Sequence, residues 1–159
     1  MNVYLIRHAE AERISPLIKD SERKITAEGK LALENAIKFW KVAISQIDIL
    51  LSSPYLRAKQ TAEIVSDHFK LTDKFFVDNK LAPGCKTKDI IELANMFKVE
   101  DIAFVGHQPD LSEHLEVLIA DQSINISIKP STIAKISFEG KVKPQRGTLK
   151  YLLPTKFFK

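Results

Sequence analysis

The stretch Val3-Tyr4-Leu5-Ile6-Arg7-His8 decides how this chain is read. Four apolar residues run without interruption into an arginine and a histidine. A strand buried on both faces of a parallel sheet has this near-continuous apolar character, and polar residues mark where it gives way to a loop. The same construction recurs twice. Residues 47–51 lead into Ser53-Pro54-Tyr55-Leu56-Arg57, and residues 101–105 lead into Gly106-His107-Gln108-Pro109. Ligands of open α/β sheets bind beyond the carboxyl ends of the strands, so Arg7, His8, Arg57 and His107 are expected in one pocket.

The rest of the sequence supplies the helices that such a sheet needs. Thr26 can cap a helix reaching about Val42, with Leu31, Leu33, Ala36, Ile37 and Trp40 as its apolar surface. Ser53 as N-cap and Pro54 at the first helical position predict a helix after the second strand, with Arg57 in its first turn. A short strand is expected at 75–77 and a helix at 88–97. Asp110 and Glu113 have capping-box spacing and open a helix towards Ile119. Segments 132–138 and 148–153 read as an antiparallel strand pair at the sheet edge. The alternation predicts an α/β fold with a largely parallel sheet. A length of 159 residues suits one domain spanning 1–159, with no linker or internal repeat.

Composition narrows the function classes. The net charge is +4, but the excess is mostly lysine (19 against 5 arginines) spread along the chain, and the aromatic residues sit in apolar segments. Charge alone speaks only for non-specific attraction, so no nucleic-acid partner is expected. No apolar run approaches the ~20 residues of a membrane span, and the N-terminus enters a strand without a secretory pattern. The single cysteine, Cys85, excludes an intrachain disulfide and fits a reducing, cytoplasmic setting.

Two arginines and two histidines make a cationic site suited to a phosphoryl group in transfer, whose charge is spread over three oxygens. Guanidinium forks grip those oxygens, and a protonated histidine adds a donor. A second histidine, neutral at one ring nitrogen, can attack phosphorus and become phosphohistidine. A divalent cation between the arginines would be repelled, so neither metal nor cofactor is expected. Competing chemistries lack their residues. Cys85 has Ile91 where a Cys-x5-Arg phosphatase needs arginine, and no phosphate loop, dinucleotide fingerprint or Gly-x-Ser-x-Gly elbow occurs. The histidines and cysteine lack zinc-like spacing, and His68 and His114 read as packing or solvent-facing residues.

Taken together, Leu5-Ile6-Arg7-His8-Ala9-Glu10, Leu51-Ser52-Ser53-Pro54-Tyr55-Leu56-Arg57-Ala58-Lys59-Gln60-Thr61-Ala62 and Val105-Gly106-His107-Gln108-Pro109 resemble the histidine phosphatase superfamily. Within this phosphoglycerate mutase-like group, the resemblance is to the small phosphohistidine phosphatase (SixA-type) branch. It implies a three-layer α/β sandwich: a mostly parallel central sheet with an antiparallel edge, and helices on both faces. It implies that His8 is the phosphorylated nucleophile and that Arg7, Arg57 and His107 clamp the phosphoryl oxygens. Arg23 would add an arginine to substrate binding, and Asp20 would be the general acid, with Glu10 and Glu12 as runners-up.

Two departures carry information. Ala9 stands where the family has glycine, which is compatible only if the backbone there avoids positive φ. Larger members place a glutamate where this chain has Leu81-Ala82-Pro83. A phosphate ester gains ~10²–10⁴-fold from an acid, whereas the imidazole leaving group of phosphohistidine can already be protonated near neutral pH. The expectation is therefore a metal-independent phosphatase acting on phosphohistidine in a phosphorylated protein. The alternatives are a phosphomonoesterase for a small phosphorylated metabolite and a catalytically silent module that binds phosphate or phosphoprotein. Specificity is expected in the loops at 13–24 and 81–88.

Overall fold

The computed structural model describes residues 1–155 of the chain. Ten regular elements follow in order: β1 (Asn2–Arg7), α1 (Ala27–Ala43), β2 (Ile49–Ser52), α2 (Leu56–Phe69), β3 (Phe75–Val77), α3 (Thr87–Phe97), β4 (Asp101–Gly106), α4 (Asp110–Ile119), β5 (Ile133–Ser137) and β6 (Thr148–Leu153). The strands form one sheet in the order β3-β2-β4-β1-β5-β6. The first four are parallel, and β5 and β6 run antiparallel beside β1. This is the expected mostly parallel sheet with an antiparallel edge.

The unbroken apolar strands arise because helices cover both faces. Alternate residues of β1 point opposite ways, as a strand requires. Val3 and Leu5 join Leu51, Ile102 and Phe104 against Leu93 of α3 and Leu111 and Leu115 of α4. Tyr4 and Ile6 join Leu50, Ala103 and Val105 against Leu33 and Trp40 of α1 and Ala62 of α2. Each fully buried aliphatic or aromatic side chain contributes roughly 1.5–3 kcal/mol. The parallel strands thus present the ends of β1, β2 and β4 side by side.

Local differences from expectation have identifiable causes. Thr26 does cap α1, its hydroxyl accepting from Gly29 N–H at 2.9 Å, but Leu31 is exposed rather than part of the apolar face. The helix after β2 begins at Leu56, with Tyr55 as N-cap, so Ser53 and Pro54 lie in the preceding turn. Asp110 and Glu113 form no capping box: Pro109 precedes α4, and the Asp110 carboxylate instead accepts from Gly84 N–H at 2.7 Å. Asp110 thereby ties the 82–86 turn to α4.

Candidate active site

Arg7 ends β1, and the backbone of the next residue, His8, bonds to Gly106 O at 3.1 Å. Motifs about a hundred residues apart are thus adjacent. Arg57, in the first turn of α2, and His107, just after β4, are buried beside them. The cavity that they line holds about 270 Å³ and includes Arg7, His8, Glu10, Ala11, Arg23, Arg57, His107, Gln108 and Pro130.

His8 is held in one tautomer. Its Nδ1 lies 2.7 Å from the Ala9 carbonyl, which can only accept, so Nδ1 carries the proton. Nε2 is left with its lone pair, which accepts from Arg57 Nε–H at 3.2 Å. Burial pushes the His8 pKa down to about 4, helped by the charges of Arg57, Arg7 and Arg23 and opposed by the Ala9 carbonyl. The ring is therefore neutral near pH 7. Ala9 has no positive φ and is completely buried, with its N–H on Thr61 Oγ1 at 3.0 Å, so alanine fits where glycine was the family's choice.

Thr61 Oγ1 also donates to Arg57 O at 2.7 Å, locking the first turn of α2 to the loop that carries His8. On the other side of that loop, a Cβ built on Gly29 would stand 2.3 Å from Glu10 O. Only glycine lets α1 approach so closely, and this approach fixes the path of residues 9–10.

His107 is positioned by Ser53, whose hydroxyl lies 2.7 Å from its Nε2 and also accepts from Tyr55 N–H at 3.3 Å. With the hydroxyl proton given to Nε2, the ring proton sits on Nδ1, which has no partner among the described residues. Burial, the neighbouring His8 and the Arg57 charge lower the His107 pKa to about 3. The protonated donor expected at this position is thus disfavoured in the protein alone. The negative charge of a phosphoryl group would act in the opposite sense.

Asp20 joins the arginines. Its Oδ1 accepts from Arg23 Nε and Nη2 at 2.8 and 2.7 Å, its Oδ2 from Arg57 Nη2 at 3.1 Å, and its carbonyl from Arg57 Nη1 at 2.7 Å. Partial burial raises the Asp20 pKa, but the hydrogen bonds and charges of Arg23 and Arg57 outweigh it and bring the pKa down. Such a carboxylate braces two arginines and is a poor proton donor. Glu12 accepts from Lys24 N–H, whereas Glu10 is among the residues lining the cavity and forms no ion pair among the described residues.

The 81–88 loop contributes nothing to the cavity wall. Its place is taken by a segment that carries no sequence signal, residues 126–131. Arg7 Nη1 donates to Ile128 O at 2.6 Å, and Ser131 N–H reaches the Arg7 and His8 carbonyls at 3.2 and 3.3 Å. The other histidine paired with a potential nucleophile is His114, its Nε2 3.1 Å from Cys85 Sγ. Burial pushes that thiol up to about 12 and the histidine down to about 4, so no thiolate forms there near pH 7.

A parallel sheet whose strand ends gather two arginines around a neutral histidine defines a phosphoryl-handling protein of the phosphoglycerate mutase-like α/β class. Comparison with known proteins agrees: the histidine phosphatase superfamily (branch 1) matches residues 3–82, so the chain belongs to that superfamily of phosphatases. It is 28% identical over 88% of its length to a phosphohistidine phosphatase SixA homolog of Haemophilus influenzae, covering 90% of that protein. It is 32% identical over 77% of its length to an uncharacterized Picosynechococcus protein, covering 76% of it. Among solved structures, the protein histidine phosphatase SixA complexed with tungstate superposes over the whole of both chains with a TM-score of 0.81 at 23% identity. A phosphohistidine phosphatase SixA from Agrobacterium tumefaciens, so described provisionally, gives 0.80 at 22% over 96% of each chain. At these identities the two structures establish the fold.

Proposed function

We propose that the protein hydrolyses phosphohistidine on a protein, through a phosphohistidine formed on its own His8. The observation that carries this reading is the unprotonated Nε2 of His8, with Arg57 Nε beside it and Nδ1 pinned to the Ala9 carbonyl. Nε2 attacks phosphorus in line. The new N–P bond forms as the bond to the substrate's imidazole breaks, and that imidazole leaves with its own or a solvent proton. The His8 ring gains positive charge as it forms the bond, and the Ala9 carbonyl on Nδ1–H stabilises it. Arg7, Arg57, Arg23 and His107 hold the phosphoryl oxygens, worth about 3–4 kcal/mol for a well-placed donor in such a site. Water then attacks the intermediate, phosphate leaves, and His8 returns neutral.

Proton delivery needs no dedicated acid for a P–N bond, which is consistent with Asp20 being held between two arginines. The cavity of about 270 Å³ has room for a phosphoryl-imidazole, with the rest of a protein substrate lying outside it.

The test is a parallel assay on a phosphohistidine protein, free phosphohistidine and an aryl phosphate, with chelator present. The expected result is turnover of both phosphohistidine substrates, none of it chelator-sensitive, and loss of all turnover in His8→Ala with the fold retained. Activity confined to the aryl phosphate would replace this reading by a phosphomonoesterase. Normal activity in His8→Ala would sink the nucleophile assignment.

A further inference from the structure

Between Glu12 and Asp20 the chain leaves the pocket and returns. The base of this excursion is fixed by a bridge between Ala11 and Ile25, by Glu12 N–H to Lys24 O at 2.9 Å, and by Arg23 Nη1 to Glu12 O at 2.6 Å. Its tip is a tight turn over Pro16 and Leu17, closed by a bridge from Ser15 to Ile18. Ile14 is 81% exposed and Leu17 92%. Single exposed aliphatic residues need no explanation, but two at one tip beside a catalytic cavity form a local apolar surface. Leu17 is three residues from Asp20, so its Cα lies within about 11 Å of a residue that touches Arg57.

We infer that this tip is a docking finger for the protein that carries the phosphoryl group, packing Ile14 and Leu17 against an apolar patch next to the phosphohistidine. The inference rests on the phosphohistidine-protein reading above and deepens it. Two features of the page choose this occupant. The cavity of about 270 Å³ opens to the surface, so a protein substrate whose phosphohistidine enters it must continue over the rim, and the tip is continuous with that rim through Asp20 and Arg23. A small phosphate ester would not reach the tip. A macromolecule cannot avoid its neighbourhood.

Two helix-forming peptides test it, each with one phosphohistidine, differing only in Leu or Ser one helical turn to either side. Phosphoimidazole serves as the small substrate. The protein is expected to favour the Leu peptide in kcat/KM by about tenfold, the effect of covering part of two aliphatic side chains. In the doubly substituted Ile14→Ser, Leu17→Ser protein that preference falls to near one, with phosphoimidazole turnover unchanged. No preference in the parent protein, a preference surviving the substitutions, or an equal loss on phosphoimidazole each overturns the docking role. If peptides and phosphoimidazole all resist while phenyl phosphate is cleaved, the phosphohistidine reading itself fails, and the docking role with it.

Discussion

Positive charge collects at both ends of the sheet, in two different ways. Beyond the carboxyl ends of β1, β2 and β4, Arg57 is buried, Arg7 and Arg23 are half-buried, and all three are tied: Arg57 to His8 and Asp20, Arg23 to Asp20 and Glu12, Arg7 to Ile128. At the opposite end, Lys141, Lys143, Arg146 and Lys150 line a cavity of about 660 Å³ between the end of β5 and the start of β6. Those four side chains are exposed and form no ion pair among the described residues. The second cavity is more than twice the size of the first, yet no histidine lines it. The contrast shows that charge and volume are not what set the candidate site apart. Burial and fixed hydrogen bonds do, because they set one tautomer and one direction for each cation.

The sharpest way to break the comparison is Arg57→Lys, which keeps the charge and removes the fork. A lysine cannot hold His8 and Asp20 together, so kcat/KM on phosphoimidazole should fall by about 10²–10³-fold. Retention of activity would mean that charge alone suffices at the pocket after all.

Acid should act through the buried histidines. His8, His107 and His114 are held near 4, 3 and 4 in the folded protein against an ordinary 6.5. Between pH 6.5 and about 4 the unfolded chain therefore binds more protons than the folded one, and stability falls as pH falls. Melting temperatures measured from pH 7 to 4 should drop steadily through this window. A flat profile would show these histidines to be exposed to solvent. The smallest effect is expected from Lys143→Ala combined with Arg146→Ala. The far cavity lies about 17 Å away along β1, twice the screening length at physiological salt, so kcat/KM should stay within about twofold. A larger loss would join the two sites.

The two ends also differ in how much the sequence reveals. Arg7, His8, Arg57 and His107 were legible because each follows a strand whose apolar run is a local signal. Parallel pairing then brings strand ends together without further information. The resemblance singles out Asp20, but its bracing position is not legible in the sequence: it depends on a loop that returns across space to Arg57. Ser53 has the residue type of a helix cap, and only the turn of Pro54 and Tyr55 frees its hydroxyl for His107. Residues 126–131 have no periodicity, and they enter the site as backbone carbonyls and amides that any sequence can supply. Asp110 went the same way, a capping-box pattern overridden by the nearby Gly84 amide.

The bridge between Ala11 and Ile25 has a consequence for change over time. It closes the 12–24 excursion at its base, so the tip at 14–18 can be exchanged without moving the strand ends that hold the reacting groups. Doubling the length of such a loop adds only about 0.6 kcal/mol of closure entropy. The tip is in effect a cassette: a lineage, or a designer, can re-aim the protein at a new partner by rewriting a few residues while the phosphoryl chemistry is inherited intact.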